Sequence, residues 1–461
     1  MTFTDALAGW LPTQRWFSGR DEPVPELAVT ADTALVAGDP GLRHLIISVR
    51  RGQDVARYQV LVGLRHRLPA SLSQAVIGPA AGGMTAYDAL HDPELAGFLL
   101  ESIAAERTVG PLRFATEPGM LVGSWPGSRV LTSEQSNTSV IFGEAAILKV
   151  LRRLFPGENP DLEVAGALAR IGSKRIAPPF GRIATELAGE PVLLAVLSKY
   201  LAHASDGWSL AAASLRRLYA RTGAYEQEYL TAPLPADPEQ PPGEPATDFA
   251  GEAYLLGGAS AEMHADLAVA FGTTLIAPQQ VAILADQMTG KLELARARIP
   301  ALERYAEKLR AAYADLASLT EPVVLQRVHG DYHLGQVLRT QDGWVALDFE
   351  GEPAVPLAQR RAPAPALRDV AGMLRSFDYA ARHRLLGHRD EARLRGPADA
   401  WVQRCQAAFC TGYADAGGTD PRTNATLLRA LMLEKAVYEV IYEAQHRPSW
   451  LSIPLESIAA A

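Results

Sequence analysis

A change of hydrophobic pattern near Tyr200 constrains the fold of this chain more than any other sequence feature. Before it, short apolar runs bounded by turn residues predict strands; Thr138 to Phe142 and Ala146 to Leu151, joined at Gly143-Glu144, predict a hairpin. After it, apolar residues recur at the helical period over long stretches. A strand-rich part followed by a helix-rich part predicts an α+β fold rather than alternating βα units.

Composition and charge limit the classes of protein to which this chain can belong. Its 461 residues, of which 48% are hydrophobic, suffice for roughly three domains with packed cores. The net charge of -8 and the isoelectric point near 5.8 argue against nucleic acid or an anionic membrane as partner, because both require a basic patch. We therefore expect neither a nucleic-acid nor a membrane partner.

Targeting and cysteine patterns indicate a reducing compartment. Met1 to Arg20 mixes charged and apolar residues, unlike a signal peptide or an anchor, and no later run approaches about 18 uninterrupted apolar residues. The two cysteines, Cys405 and Cys410, are spaced so that they point to different faces of a predicted helix. We expect no disulfide and a cytoplasmic location.

The segment before Leu112 is predicted to form a small sheet covered by a helix, which would span Tyr87 to Ile103. The apolar runs that predict the sheet are Leu27 to Val36, His44 to Val49 and Arg57 to Val62. An aromatic and basic cluster near the N-terminus comprises Trp10, Arg15, Trp16 and Phe17. This cluster could dock on the nucleotide-binding lobe or on another protein.

One stretch carries the clearest chemical pattern. Asp331 follows a His-Gly pair, Gln336 lies five residues later, and Asp348 ends the next apolar run. Phosphoryl transfer requires a carboxylate near the accepting hydroxyl and oxygen ligands for Mg²⁺. We interpret Asp331 as the group that takes the hydroxyl proton, and Gln336 and Asp348 as metal ligands. Asp331 alone could be a turn cap, but the combined spacing favours catalysis; His329 and Asp369 are expected to orient the loop.

A lysine and a glutamate in the strand-rich half fit the same chemistry. Lys149 ends an apolar strand and is expected to hold nucleotide phosphates. A helix follows, with Asn159 as N-cap and Pro160 at its first position, and Glu163 within it is expected to pair with Lys149. The alternatives are a strand lysine that reaches solvent and a glutamate that complements the helix dipole.

The helix predicted over 426–446 has two unlike faces. At about 100° per residue, apolar side chains fall on one face, which we expect to be core. The other face combines aromatic rings with charges of both signs, as a sugar pocket requires, although a solvated face is the alternative. This polar face comprises Lys435, Tyr438, Glu439, Tyr442 and His446.

Two residues outside this helix complete the predicted acceptor site. His333, close to Asp331 in sequence, would orient the acceptor hydroxyl or pack within the loop, and Trp450 would close the pocket wall. The predicted substrate residues are His333, Lys435, Tyr438, Glu439, Tyr442 and Trp450. None of them distinguishes a disaccharide from a monosaccharide.

Several sequence blocks resemble the bacterial maltokinases, a family of eukaryotic-like kinases of the aminoglycoside-phosphotransferase type. These blocks are Trp10 to Phe17, Glu134 to Ser139, His329-Gly330-Asp331, Asp348-Phe349-Glu350, Leu367 to Phe377 and Arg447 to Leu455. The resemblance covers nearly the full length. Two features depart from the wider kinase pattern: Gln336 replaces the usual Asn, and the loop from Gln135 to Ser139 lacks glycine.

The resemblance implies an α+β, bilobal protein-kinase-like fold with a small, mostly β N-lobe, a large helical C-lobe and an additional N-terminal α/β cap subdomain. The expected division is the cap at 1–108, the nucleotide-binding N-lobe at 109–200 and the C-lobe at 201–461. Within the C-lobe, the Pro-rich and acidic residues 231–248 are expected to form a mobile insertion.

The resemblance also implies an activity. The expected cofactors are ATP and Mg²⁺, and the expected reaction converts maltose into maltose 1-phosphate for α-glucan and glycogen synthesis. Ser136, Asn137 and Thr138 would contact the nucleotide. The implied partners are the small-molecule sugar and an enzyme that interconverts trehalose and maltose; the chain itself is expected to be a monomer or weak dimer.

Two other functions are compatible with the same residues. A glucosamine kinase or an aminoglycoside-type phosphotransferase would use the same loops on another acceptor. A cationic acceptor would favour an acidic pocket, which Glu439 and Glu443 allow, whereas Lys435 argues for a neutral sugar. The second alternative function is that of a catalytically inactive sensor or scaffold with a kinase fold. The glycine-free loop and Gln336 support it, but competent side chains at the catalytic positions oppose it.

Overall fold

The computed structural model describes residues 2–18, 24, 26–120, 122–131, 136–221, 248–352 and 355–461. It divides into two compact units, Met1–Ala169 with Ala177–Ala202, and Arg170–Ile176 with His203–Ala461. The first is dominated by strands and the second by helices, so the α+β prediction is confirmed. The predicted cap and N-lobe share the first unit, and a boundary at residue 108 stays a prediction. Residues 231–247 of the predicted insertion lie outside the described ranges.

Two antiparallel sheets organise the first unit. Its strands are β1 (Glu26–Val36), β2 (Gly41–Arg51), β3 (Asp54–Arg65), β4 (Val76–Pro79), β5 (Thr85–Asp88), β6 (Thr108–Val109), β7 (Leu112–Thr116), β8 (Ser128–Val130), β9 (Thr138–Phe142), β10 (Ala146–Val150), β11 (Arg153–Leu154), β12 (Pro179–Leu187) and β13 (Glu190–Lys199). Its helices are α1 (Phe3–Trp10), α2 (Pro93–Ala104) and α3 (Pro160–Arg170). One sheet has the order β1-β2-β3-β5-β4, with β11 paired to β3, and the other has the order β6-β7-β12-β13-β10-β9-β8.

The local predictions for the first unit are largely confirmed. The three apolar runs form β1 to β3, and β9 and β10 form the predicted hairpin, with Phe142 opposite Ala146. Helix α3 begins at Pro160, and the Asn159 side chain accepts a hydrogen bond from the Leu162 amide at 3.1 Å. These elements follow from short-range hydrophobic pattern and capping residues.

The helix predicted to begin at Tyr87 is wrong at its N-terminal end. Tyr87 lies in β5, opposite Gly63 of β3, and helix α2 begins only at Pro93. The Asp92 side chain accepts a hydrogen bond from the Glu94 amide at 3.0 Å. An aspartate N-cap followed by proline starts a helix more strongly than an apolar run extends it backwards.

The aromatic cluster near the N-terminus packs inside the first unit. Trp10, Trp16 and Phe17 are buried in one hydrophobic core with Tyr58 of β3, and the Trp16 and Tyr58 ring centroids are 6.1 Å apart. The Arg152 guanidinium lies 4.8 Å from the Trp16 ring centroid. The rings thus pack mainly within the predicted cap, and Arg152 is their contact from the predicted nucleotide-binding lobe.

Helices build the second unit around two short sheets. Its strands are β14 (Ser205–Asp206), β15 (Thr273–Ile276), β16 (Val323–Gln326), β17 (Val337–Thr340) and β18 (Gly343–Ala346), and its helices are α4 (Gly207–Arg221), α5 (Ala250–Phe271), α6 (Pro278–Arg298), α7 (Ala306–Ala317), α8 (Leu357–Arg360), α9 (Leu367–Arg382), α10 (Glu391–Asp415), α11 (Ala425–His446) and α12 (Ser452–Ala460). The sheets are β14-β17-β18 and β15-β16. Cys405 and Cys410 are buried free thiols. Among the described helices, none is long and apolar enough to cross a bilayer.

Candidate active site

A buried carboxylate fixes the backbone of the loop that carries Asp331. Asp369, on α9, accepts hydrogen bonds from the amides of His329 at 2.7 Å and Gly330 at 2.9 Å. His264, on α5, lies 3.1 Å from the same carboxylate. Burial raises the pKa of Asp369, but the His264 ring and the backbone donors outweigh it, so the net pKa is lowered. Asp369 therefore stays ionised and anchors the loop, as expected.

The His329 side chain connects this loop to the segment that carries Asp348. Its Nε2 lies 2.8 Å from the Leu347 carbonyl oxygen, and its ring centroid lies 4.7 Å from that of Phe349. Both contacts leave the ring away from solvent, since His329 is buried. These contacts join the two loop segments, as expected of a residue that orients the loop, and the role of His329 stays a prediction.

The two predicted metal ligands lie on neighbouring chain segments. The Leu347 amide donates to the Gln336 carbonyl at 2.9 Å, which aligns the start of β17 with the residue before Asp348. Asp348 has a φ of 63°, a left-handed conformation that costs energy for a non-glycine residue and is concentrated at functional sites. Carboxylate oxygens of Asp348 and Glu350 lie within 4.8 Å of one another. This all-oxygen donor set fits a hard cation such as Mg²⁺.

Lys435 holds the Asp331 carboxylate. Its Nζ lies 3.0 Å from Asp331 Oδ1 and 2.7 Å from Glu352 Oε1, and it also lies 4.8 Å from the Tyr438 ring centroid. The His333 Nε2 lies 3.8 Å from the other oxygen, Asp331 Oδ2. One oxygen of Asp331 is thus bound by an ammonium group, and the other faces a histidine.

This environment sets the ionisation of the catalytic candidates. Burial alone raises the pKa of Asp331, but the Lys435 ammonium outweighs it and lowers the pKa to about 2. Burial lowers the pKa of Lys435, yet the Asp331 and Glu352 carboxylates raise it overall. Burial lowers the pKa of His333. At neutral pH the site therefore presents an anionic Asp331, a cationic Lys435 and a neutral His333.

A cavity of about 380 Å³ brings together the six residues predicted to bind substrate. Those six are His333, Lys435, Tyr438, Glu439, Tyr442 and Trp450, and the cavity is also lined by Trp208, Gly335, Gly372, Ser376, Tyr379, Glu443 and Arg447. Its size and its mixture of rings and polar groups suit a small-molecule ligand. His446, the remaining residue of the predicted polar face, does not line it; its ring stacks on Tyr442 with centroids 4.4 Å apart.

Arginines engage the carboxylates of this cavity. Arg375 Nη2 lies 2.6 Å from Glu439 Oε2. Arg447 binds Glu443 through two nitrogens, at 2.9 Å and 2.7 Å, and the Tyr379 hydroxyl donates to Glu443 at 3.2 Å. Burial raises the pKa of Glu439 in spite of Arg375. The acidic side chains are therefore neutralised within the protein before any ligand arrives.

Sequence reasoning missed the two arginines that engage these carboxylates. Glu443 and Arg447 are four residues apart near the end of a helix, a spacing that predicts an ion pair. The spacing of Arg375 likewise predicts its ion pair with Asp378, at 2.8 Å, but not its contact with Glu439, which is 64 positions away. Arg447 also stacks between aromatic rings, 4.3 Å from the Trp450 centroid and 5.3 Å from the Tyr442 centroid.

In the first unit, Lys149 carries an acidic partner. Its Nζ lies 3.7 Å from Asp161 Oδ2 on α3, two residues before Glu163. The pairing of Lys149 with Glu163 stays a prediction. Thr138 begins β9, and its Oγ1 accepts a hydrogen bond from Arg152 Nε at 2.8 Å.

Comparisons with known proteins support the interpretation of this chain as a kinase. Residues 10–92 match the maltokinase N-terminal cap domain family. The chain is 32% identical over 340 residues to a glucosamine kinase from Streptacidiphilus jiangxiensis, covering 71% of this chain and 72% of that protein. It is also 32% identical over 344 residues to a glucosamine kinase from Mycolicibacterium smegmatis, covering 72% and 79%, respectively.

Solved structures give the same result. A glucosamine kinase in complex with glucosamine, ADP and inorganic phosphate superposes with a TM-score of 0.65 at 27% identity, covering 100% of this chain and 99% of that one. Another crystal form of a glucosamine kinase gives a TM-score of 0.66 at 28% identity, with the same coverage. Sequence identity, coverage and fold agree with the loop geometry: the chain belongs to the glucosamine kinase family, sugar kinases with a protein-kinase-like fold and a maltokinase-type N-terminal cap domain.

Proposed function

We propose that this protein transfers the γ-phosphoryl group of ATP to the anomeric hydroxyl of maltose. The observation that carries the proposal is the acceptor cavity, whose carboxylates are already engaged by arginines and whose wall includes the Lys435 ammonium. Such a cavity offers aromatic rings and hydrogen-bonding groups to a neutral sugar. Maltokinase-like sequence blocks at both ends of the chain support maltose in particular.

The proposed reaction assigns a role to each loop residue. The acceptor oxygen attacks the γ-phosphorus, the bond to the bridging oxygen breaks, ADP leaves, and the hydroxyl proton ends on Asp331. A carboxylate with a pKa of about 2 is a weak base, so Asp331 orients the hydroxyl and takes the proton as the new O–P bond forms. This fits phosphoryl transfer, in which positioning and electrostatics dominate. His333 is placed to orient the same hydroxyl.

The remaining predicted residues would hold the nucleotide. Gln336 and Asp348, with Glu350 beside Asp348, would bind Mg²⁺, which when present neutralises charge on the phosphate oxygens. In the first unit, Lys149 would bind the phosphates and Glu163 would support it. Ser136, Asn137 and Thr138 would supply the contacts that glycines provide in other kinases.

The similarity to glucosamine kinases favours a second acceptor, glucosamine. An ammonium substituent would gain most from a free carboxylate in the cavity. Glu443 instead accepts two bonds from Arg447, and Glu439 is bound by Arg375 and has a raised pKa. Lys435 adds repulsion. These charges favour the neutral sugar.

A side-by-side comparison of candidate sugars tests the identity of the acceptor. ADP release would be measured with maltose, glucose, glucosamine and kanamycin at equal ionic strength, and the product linkage would be determined by phosphorus NMR. We expect the highest kcat/KM with maltose and a phosphate on its anomeric carbon. A higher kcat/KM with glucosamine would replace maltose as the acceptor, and ATP binding without turnover on any sugar would support the inactive sensor.

A further inference from the structure

A second cavity, of about 390 Å³, lies in the second unit beside the acceptor cavity. Helices α6, α7, α9 and α11 and the segment after Gly351 contribute its walls. The two cavities have Gly372, Lys435 and Tyr438 in common. The proposed function gives no role to Lys291, Arg298, Arg368 or Glu434, which also line the second cavity.

The charge of this cavity contrasts with that of the whole chain. The wall carries more cations than acids. The cations are Lys291, Arg298, Arg360, Arg368 and Lys435, and the acids are Glu352, Asp369 and Glu434. A local excess of positive charge in a chain whose net charge is -8 indicates a site for an anion.

The two carboxylates have nearer partners than the arginine between them. Lys435 binds Glu352 at 2.7 Å, and Lys291 binds Glu434 at 2.6 Å. The guanidinium of Arg368 lies 3.8 Å from Glu352 and 3.9 Å from Glu434, beyond hydrogen-bond distance. Among the described residues the Arg368 guanidinium therefore forms ion pairs with both carboxylates but donates no hydrogen bond to them, so its planar set of N–H donors can still bind a ligand in the cavity.

A second guanidinium lines the same cavity. Arg298, in the last turn of α6, is exposed and lines the cavity, and within the described ranges it has no ion-pair partner. Met288, Leu431 and Ile441 add apolar surface to the lining. The wall thus combines two guanidinium groups with a patch that could cover the body of a small molecule.

We propose that this cavity binds a small phosphate-bearing anion, held by Arg368 and Arg298. Guanidinium groups bind phosphate through two parallel hydrogen bonds, which a lysine cannot reproduce. The apolar surface would accommodate the organic part of a phosphorylated metabolite. The site is defined by the second unit alone, so phosphate binding does not depend on which sugar the kinase phosphorylates.

The test is calorimetric titration of the full-length chain in the presence of saturating Mg²⁺ and a non-hydrolysable ATP analogue, which occupies the nucleotide site. The probes are inorganic phosphate and glucose 1-phosphate, with sodium acetate as a carboxylate probe. We expect phosphate binding in the wild type that is about tenfold weaker in Arg298→Ala, as for loss of one charge-assisted hydrogen bond. Arg368→Lys, which keeps the charge but loses the planar donors, should weaken binding similarly.

Two controls localise the effect. Arg296→Ala removes an arginine from the same helix that pairs with Glu293 and Glu303 outside the cavity, and Tyr442→Ala alters only the acceptor cavity. Both should bind phosphate as the wild type does. Tighter binding of glucose 1-phosphate than of phosphate would support a phosphorylated metabolite, and equal affinities would support free phosphate.

Three results would overturn the proposal: no phosphate binding by the wild type, equal binding by the wild type, Arg298→Ala and Arg368→Lys, or acetate binding as tight as that of phosphate. Circular dichroism spectra verify that each variant is folded. Kinase assays on the same samples report separately on the proposed function, because phosphate binding is measured without turnover.

Discussion

Buried cations in the two units have similar partners but different access. In the first unit, Arg152 has no exposed side-chain surface and pairs with Asp88. It also donates to Thr138 Oγ1 at 2.8 Å and lies 4.8 Å from the Trp16 ring centroid. These contacts connect the N-terminal aromatic cluster, β5 and the start of β9. Every one of them is internal to the unit, as expected of a structural ion pair.

Lys435 of the second unit binds Asp331 and Glu352 but retains 18% of its side-chain surface and lines two cavities. Because folding lowers the pKa of Asp331 from 3.8 to about 2, this carboxylate adds stability above pH 3.8 that is lost as the pH falls through about 2. The difference from Arg152 teaches that a buried ion pair by itself does not indicate function. The feature that distinguishes Lys435 is its access to a cavity.

The largest effect on activity is expected at the Asp331–Lys435 ion pair, which is accessible from a cavity. Asp331→Asn removes the proton acceptor but keeps its size, so kcat should fall about 10³-fold or more. The melting temperature at neutral pH should fall as well, because the ionised carboxylate adds stability there. Steady-state kinetics and thermal unfolding measure the two quantities. Retention of even a tenth of wild-type kcat would contradict the role of Asp331 and the functional difference between the two ion pairs.

At the Arg152–Asp88 pair, the large effect should be on the free energy of unfolding. Arg152→Met leaves Asp88 buried without its partner and should lower the free energy of unfolding by about 3–5 kcal/mol, measured by urea denaturation. Arg153→Met is the matched control; it alters an exposed arginine of β11 and should change stability by no more than about 0.5 kcal/mol. The double variant Arg152→Met with Asp88→Asn should regain part of the loss, and a neutral Arg152→Met would mean that this pair is not structural.

Replacing Lys435 should change the kinase activity and the pH dependence of that activity. Burial raises the pKa of Asp331, and Lys435 is the largest opposing influence, so in Lys435→Met the acid limb of the kcat/KM profile should move to higher pH. We expect kcat/KM at pH 7 to fall by roughly 10- to 100-fold, since a fixed charge beside the reacting group is lost. Lys174→Met, at an exposed lysine, serves as the control, and an unshifted acid limb would exclude Lys435 as the group that sets this pKa.

The smallest effect is expected at the rim of the acceptor cavity. Tyr442 is 40% exposed, so Tyr442→Ala removes a ring face that would stack on the sugar. We expect the KM for the acceptor to rise about fivefold, corresponding to about 1 kcal/mol, with the KM for ATP unchanged. Equal increases in both KM values would indicate a general disturbance of the unit instead of lost sugar contact.

The failed helix prediction at Tyr87 and the confirmed β9–β10 hairpin show which structural features are determined by residues that are neighbours in sequence. Gly143-Glu144 joins two complementary apolar runs, so neighbouring residues suffice to predict β9 and β10. Tyr87 lies in an equally apolar context, but its strand depends on pairing with Gly63, 24 residues earlier in the chain. Such pairing is invisible to a pattern that reads only adjacent residues.

The sequence by itself determined the local elements and the chemical groups: the hairpin, the cap of α3, the two faces of α11, and an Asp331, Gln336 and Asp348 pattern suited to phosphoryl transfer. Only the tertiary structure decided which charges meet. Asp331 and Lys435 are 104 residues apart, and His329 and Asp369 are 40 apart. Periodicity and capping act over about four residues, whereas the pairing of distant charges depends on how helices pack, and that packing made one lysine part of a candidate active site.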